Sequence, residues 1–220
     1  MFLSKSLFNL AILISGSGSN QQAVMDAVEN GTIPRTVIRL VISDREGAYG
    51  LERAKKRNIP NMVIGKNDIS KLLKVLKSKK IDGIVLAGYL SIMPPEVVNK
   101  YSGKIINIHP ALLPKFGGKG FYGIKVHNAV IASGAKYTGA TAHLVDTGID
   151  TGAALVRGVV PVLNEDTAES LQKKVLAIEY DVLVHAVKGM AENRIKSLVE
   201  KPMLLIEERE WLGVLGKLES

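Results

Sequence analysis

The sequence predicts an α/β protein: a mostly parallel sheet flanked by helices, with an antiparallel addition in its C-terminal half. Three observations carry this. Apolar runs of strand length alternate with helical patterns through the first 109 residues. The first run breaks directly into Gly16-Ser17-Gly18-Ser19-Asn20, a glycine loop that opens a helix. In the second half, two strand-like runs follow one another with only a short glycine-bearing loop between them, which suggests a hairpin.

Residues 8–15 (FNLAILIS) form the first strand, and Ala23, Val24, Ala27 and Val28 then recur at helical spacing. A second strand at 36–43 leads into a helix near 50–57, and 61–64 reads as a short third strand. In residues 66–80, Leu72, Leu73 and Leu76 make an apolar stripe among lysines, the pattern of an amphipathic helix with a solvated outer face. Strands at 81–87 and 104–109 complete the alternation, which calls for parallel pairing with crossover helices. The loop Phe116-Gly117-Gly118-Lys119-Gly120 precedes a helix over 122–133 containing Ile124, Val126, His127 and Val130. Strands at 138–145 and 153–160 flank the loop 146–152. Asp166 with Glu169 three residues on reads as a capping-box variant opening a helix that buries Leu171, Val175, Ile178 and Val182, with Glu179 at the margin of that face. The tail from Pro202, with Trp211, is expected to pack back on the body.

At 220 residues and 46% hydrophobic, the chain fits one globular unit over residues 1–220, in two closely joined halves, 1–104 and 105–220. With no cysteine it has neither a disulfide framework nor a thiolate metal site, and a reducing compartment suits it. Residues 1–10 are too short and too polar, at Ser4, Lys5 and Ser6, for a signal peptide, and no apolar run approaches the roughly 20 residues of a membrane span. A soluble, cytoplasmic protein is expected. The net charge of +8 could draw nucleic acid or small anionic substrates. The lysine-rich stretch lacks the interleaved aromatics of a single-strand binder, so small anions are favoured.

The glycine loop presents backbone N–H groups at a helix N-terminus, an anion site by geometry and dipole. As a dinucleotide fingerprint it is incomplete: Gly16 and Gly18 are present and Asp44 is placed for a ribose contact, but Gln21 takes the third glycine position. One phosphate fits better than a pyrophosphate. At the end of the strand 104–109, Asn107 and His109 share one face while Ile106 and Ile108 take the other, and Pro110 stops the ladder. An amide beside an imidazole can polarise a carbonyl oxygen. A neighbouring carboxylate would raise the pKa of His109, and Asp146 and Asp150 are both candidates, undecided by spacing. His127 and His185 read as surface or packing residues, and His143 as a core histidine with a satisfied hydrogen bond. No pair has the spacing of a common zinc motif, and no metal is expected.

Three stretches, Gly16-Ser17-Gly18-Ser19-Asn20, Asn107-Ile108-His109-Pro110-Ala111-Leu112-Leu113-Pro114 and Asp150-Thr151-Gly152, occur in an order and spacing that resembles the phosphoribosylglycinamide formyltransferases, over roughly residues 10–186. The resemblance implies a Rossmann-like formyltransferase fold in which residues 1–104 bind the substrate phosphate and 105–220 carry catalysis and folate. It implies a reaction in which 10-formyltetrahydrofolate formylates the amine of glycinamide ribonucleotide, in purine biosynthesis. By position it gives Asn107, His109 and Asp150 the catalytic places. Gly16, Ser17, Gly18, Ser19, Asn20 and Gln21 take the substrate loop, with the phosphate at Gly18, Ser19 and Asn20, and Glu179 the ribose. Folate falls to Leu90, Ser91, Ile92 and Met93, to Asp146, Thr147, Gly148, Ile149 and Asp150, to Asn107 and to Lys71. The implied partners are small molecules, without nucleic acid, membrane or metal, and the protein is a monomer or homodimer. Ser91 stands where a basic residue is common, Lys71 where an arginine often sits, and Ala153 where proline is usual. Residues 115–125 are longer and richer in glycine than in the commonest members and are expected to form a mobile flap near the site, whose lysines could add contacts to an anionic ligand. Methionyl-tRNA formyltransferase and formyltetrahydrofolate hydrolase are the nearest enzyme alternatives; each usually carries a further domain, for which the stretch after Lys188 and the N-terminal segment look too short. A non-catalytic nucleotide-binding module would use the glycine loop alone.

Overall fold

The computed structural model describes residues 6–206, which form one eight-stranded sheet with helices on both faces. Along the chain come β1 (Phe8–Ile14), α1 (Ser19–Glu29), β2 (Thr36–Ser43), α2 (Tyr49–Lys56), β3 (Asn61–Val63), α3 (Ile69–Ser78), β4 (Gly83–Leu86) and α4 (Pro95–Lys100). They are followed by β5 (Ile105–His109), α5 (Ile124–Ala132), β6 (Tyr137–Leu144), β7 (Ala154–Pro161), α6 (Ala168–Ala191), α7 (Ile195–Glu200) and β8 (Met203–Ile206). The strand order is β3-β2-β1-β4-β5-β6-β7-β8. β1 to β5 pair in parallel, β6 is antiparallel to both β5 and β7, and β8 is parallel to β7. The antiparallel addition thus amounts to one reversed strand, β6.

Strand alternation divides the core in two. Ile12, Ile14, Ile106 and Ile108 join the cluster under α1 and α6, while Leu13, Ile42, Leu86 and Ile105 pack against α3 and α4. Asn107 and His109 continue the Ile105 side of β5, as the alternation predicts. Leu10, Ile12, Leu13 and Ile14 are fully buried, each stabilising the fold by roughly 1.5–3 kcal/mol relative to exposure. From β1 the chain winds outward through β2 to β3, then crosses back to β4 on the other side of β1. In an open parallel sheet this switch of direction leaves a crevice beyond the strand ends. Ser15 N–H donates to Gly88 O at 3.1 Å and Leu90 N–H to Ser15 Oγ at 2.8 Å, so the two loops bordering the crevice are tied together.

Two local readings change. α6 is capped by Thr167, one residue later than expected: its Oγ1 accepts from Ser170 N–H while Ser170 Oγ accepts from Thr167 N–H. Asp166 instead accepts from Leu163 N–H and pairs with Lys174 at 2.9 Å, fastening the preceding turn. α4 had no apolar period long enough to announce it and starts on Pro95, whose ring suits a first helical turn. Of the tail, Met203–Ile206 extends the sheet as β8 beside β7; the stretch beyond it, with Trp211, lies outside the described residues.

Candidate active site

A cavity of about 700 Å³ opens at the crevice. It is lined by Ser17, Ser19 and Asn20 after β1, by residues 88–93 after β4, by Asn107 and His109 of β5, by the segment 118–123, by the β6–β7 loop and by one side of α6. A wider cleft of about 890 Å³ lies at the opposite ends of the strands and holds none of the predicted site residues.

At the first end, Gly18 caps α1 with φ +70°, and a Cβ there would meet Gln21 Oε1 at 2.4 Å and the Gly50 Cα at 2.7 Å. The need for glycine therefore falls on Gly18; a Cβ on Gly16 meets nothing. Gln21 does not face the cavity. It is fully buried, donating to Gly50 O at 2.9 Å, so its expected substrate contact is corrected to a packing role beneath the loop. Glu179 also differs from expectation: the long α6 packs over β6 and β7 and against α1, so this carboxyl is 7% exposed, not marginal, and accepts from Asn20 Nδ2 at 2.6 Å. Burial pushes its pKa up to about 7, the Asn20 hydrogen bond only partly opposing the shift. Asn20 Oδ1 is buried with no hydrogen-bond partner among the described residues.

At the catalytic centre, the β6–β7 loop returns over β5 and brings Asp150 against His109, with Oδ2 3.4 Å from Nδ1. Asp150 adopts φ +58°, a left-handed conformation that a non-glycine residue holds only where its surroundings enforce it. Its Oδ2 accepts from Gly118 N–H at 3.0 Å and its Oδ1 lies 3.5 Å from both Asn107 Nδ2 and His143 Nε2. Asp146, the other candidate, instead folds onto its own loop, accepting from Gly148 N–H and Thr151 Oγ1. Burial works to raise the pKa of Asp150, but the neighbouring His143 and His109 and the hydrogen bond from Gly118 N–H outweigh it and hold the carboxyl below its ordinary range.

His109 corrects an electrostatic expectation. Asp150 and the Phe116 carbonyl, 2.7 Å from Nε2, both favour the imidazolium, yet burial outweighs them and lowers the pKa below that of free histidine. The ring therefore rests neutral near pH 7, with Nε2–H donating to Phe116 O. The segment 115–125 lies beside the site and lines it with residues 118–123, its backbone hydrogen-bonded to both His109 and Asp150.

His143 belongs to this centre, which sequence reasoning missed. It stands opposite Asn107 across the β5–β6 pair. Its Nδ1 faces Leu144 O at 2.8 Å and so carries the proton, leaving Nε2 to accept from Asn107 Nδ2 at 3.1 Å. One Asn107 amide hydrogen is thereby held, while the other is loosely engaged at 3.5 Å. His127 also lines the cavity, almost fully buried, its pKa pushed down to about 4 by burial and by neighbouring His109.

Leu90, Ser91, Ile92 and Met93 line the cavity, as do Asp146, Gly148, Ile149 and Asp150. Lys71 and Thr147 do not: Lys71 projects from the exposed side of α3, and Thr147 is exposed in its loop. Ser91, in place of the commoner basic residue, donates to Asp44 Oδ2 at 2.6 Å, so Asp44 is engaged by Ser91 and Arg45 at the position proposed for a ribose contact. Lys119, one of the flap lysines placed to contact an anionic ligand, lines the cavity, as do Gln172 and Lys173, which were not singled out. Among the described residues no group of three or more metal-binding side chains converges, and no helix is long and apolar enough to cross a membrane.

A mostly parallel sheet with a switch-point crevice, a glycine loop at one end and an amide, imidazole and carboxylate at the other suits a group-transfer enzyme. The formyl transferase family model matches residues 8–187, and the chain belongs to that family. Its relatives make the assignment narrower. A phosphoribosylglycinamide formyltransferase of Haemophilus influenzae is 37% identical over 85% of this chain and 89% of its own length, and the chain belongs to that group of formyl transferases. The chloroplastic phosphoribosylglycinamide formyltransferase of Arabidopsis thaliana is 41% identical over 85% of this chain, which spans 66% of that relative's length. The crystal structure of the Anaplasma phagocytophilum phosphoribosylglycinamide formyltransferase superposes with a TM-score of 0.78 at 38% identity, over 86% of this chain and 89% of that one.

Proposed function

We propose that this protein transfers the formyl group of 10-formyltetrahydrofolate to the amine of glycinamide ribonucleotide, giving the N-formyl product and tetrahydrofolate. The observation that carries the reading is the meeting of Asn107, His109 and Asp150 inside the cavity whose far end is the glycine loop. The loop amides and Ser19 take the phosphate, and Glu179, held by Asn20, takes the ribose hydroxyls. Leu90, Ile92 and Ile149 are exposed apolar side chains facing one cavity with Met93 and Val145, a setting suited to the flat folate ring. A cytoplasmic setting, small-molecule partners and a reaction that needs no metal belong to the same reading.

Asn107 and His109 act where charge develops. The substrate amine attacks the formyl carbon, and the carbonyl oxygen becomes an oxyanion that accepts from the loosely held Asn107 Nδ2–H and from His109 Nε2–H, displacing the Phe116 carbonyl. The growing negative charge raises the His109 pKa again, so the ring takes a proton from solvent at Nδ1, where Asp150, kept ionised by Gly118 N–H, accepts the hydrogen bond; the proton returns to solvent as the oxyanion collapses. As the carbon–nitrogen bond to folate breaks, the proton lost by the attacking nitrogen reaches the departing folate nitrogen, directly or through water.

The test is turnover of purified protein with glycinamide ribonucleotide and 10-formyltetrahydrofolate, followed by absorbance of the deformylated folate. Turnover that depends on both substrates is expected. Folate deformylation at the same rate without the ribonucleotide would make the protein a hydrolase and overturn the reading.

A further inference from the structure

The glycine loop is held from behind by the first turns of α2, a segment to which the mechanism above gives no part. Gly50 N–H donates to Gly16 O at 3.1 Å, and Gln21 Nε2 returns a hydrogen bond to Gly50 O at 2.9 Å. Arg53 reaches the loop with its guanidinium: Nε donates to Ser17 O at 2.8 Å and Nη1 to Gln22 Oε1 at 3.1 Å. The Tyr49 ring lies 5.0 Å from its central carbon and fixes the plane of the group. Arg53 has no carboxylate partner among the described residues, and the first turn of α1 has no acidic residue.

Peptide planarity turns these contacts into a direction. In a trans peptide the carbonyl and the following N–H lie in one plane and point opposite ways. With Gly16 O and Ser17 O drawn toward α2, the N–H groups of Ser17 and Gly18 are directed away from it, and neither has an acceptor among the described residues. Ser17 lines the cavity. A cation behind the Ser17 carbonyl also polarises that peptide, strengthening its N–H as a donor to an anion.

We propose that Arg53 is a positioning residue for the substrate phosphate: without touching the ligand, it orients and polarises the Ser17–Gly18 peptide that binds it. This rests on the phosphate role given to the glycine loop under the proposed function. The blander account makes Arg53 a brace between α1 and α2 that serves stability alone.

The two accounts separate on a substrate lacking the phosphate. For Arg53→Ala, the KM for glycinamide ribonucleotide should rise about tenfold with kcat within about twofold, the scale of one charge-assisted hydrogen bond. Competitive inhibition by inorganic phosphate should weaken by a similar factor. With the glycinamide ribonucleoside, kcat/KM should be the same for variant and wild type. Arg53→Lys, which keeps the charge and the fold but loses the planar fork, should lie between them, and it stands in if the alanine variant does not fold. An equal loss on ribonucleotide and ribonucleoside, or a lower melting temperature with unchanged phosphate inhibition, overturns the proposal. Failure of the wild type itself to use the ribonucleotide or to be inhibited by phosphate would overturn the functional reading as well, and is seen before any variant is made.

Discussion

The two ends of the cavity are built on different physical principles. The phosphate end is backbone: a left-handed Gly18, a helix N-terminus and a loop stitched to α2 through carbonyls. Its chemistry resides in peptide dipoles, which burial does not neutralise. The catalytic end is side chains: His109, His143, Asn107 and Asp150 from two strands and a loop, each completing the hydrogen bonding of another. Polar groups this deep are tolerable only as a satisfied set, so removing one leaves the rest unpaired. The first end should lose affinity when altered, the second rate.

The sharpest test of that division is Asp150→Ala. It removes the acceptor for Gly118 N–H and the carboxylate facing both His109 and His143. The His109 pKa, already lowered by burial, then loses its principal opposing charge. We expect kcat to fall by about three orders of magnitude, roughly 4 kcal/mol of transition-state stabilisation, with the KM for glycinamide ribonucleotide changed by less than about threefold. Steady-state kinetics decides it, and a variant losing affinity in step with rate would erase the distinction between the ends.

Gly18→Ala probes the other end. The new Cβ would stand 2.7 Å from a backbone atom of Gly50 and hold alanine at φ +70°, a conformation costing about 1–2 kcal/mol, so the loop must shift. A tenfold or greater rise in KM for the ribonucleotide is expected, with kcat for bound substrate nearly kept. Substrate titration at saturating folate measures it.

This contrast also governs what could be read from residues alone. β2 matches its sequence bounds at both ends, because TVIRLVIS offers β-branched apolar residues between clear breaks. The glycine loop and the shared face of Asn107 and His109 follow from local chain geometry, and both stand as expected. His143 was hidden because its apolar neighbours describe a core strand, and only the antiparallel register sets it opposite Asn107. The protonation of His109 was misjudged because it is a balance between one carboxylate and the burial of the whole ring, and burial is a property of the assembled sheet. Lys71 and Thr147 show that matching a position in a family does not fix where a side chain points. Glu179 sits four residues after Val175 and three before Val182, on the apolar stripe itself, so its burial was legible and was underestimated.

The smallest effect expected comes from Glu179, the one buried carboxyl at the phosphate end. Its pKa in the unliganded protein is raised from 4.5 to about 7, so the folded state favours the neutral acid. The sign follows: this stabilisation is complete below about pH 4.5 and is lost as pH rises through about 7. Ribose hydroxyls donating to the carboxylate would favour the charged form, so binding releases a proton below pH 7 and tightens as pH rises toward that value. The dissociation constant for glycinamide ribonucleotide should therefore be several-fold larger at pH 6 than at pH 8, beyond the change caused by the ligand's own titration. Glu179→Gln, which keeps the shape but cannot ionise, supplies that reference when both proteins are titrated calorimetrically across the range. A constant ratio of wild-type to variant affinity from pH 6 to 8 would mean that this carboxyl does not change charge on binding. The phosphate end would then be backbone alone, and the contrast between the two ends sharper than drawn here.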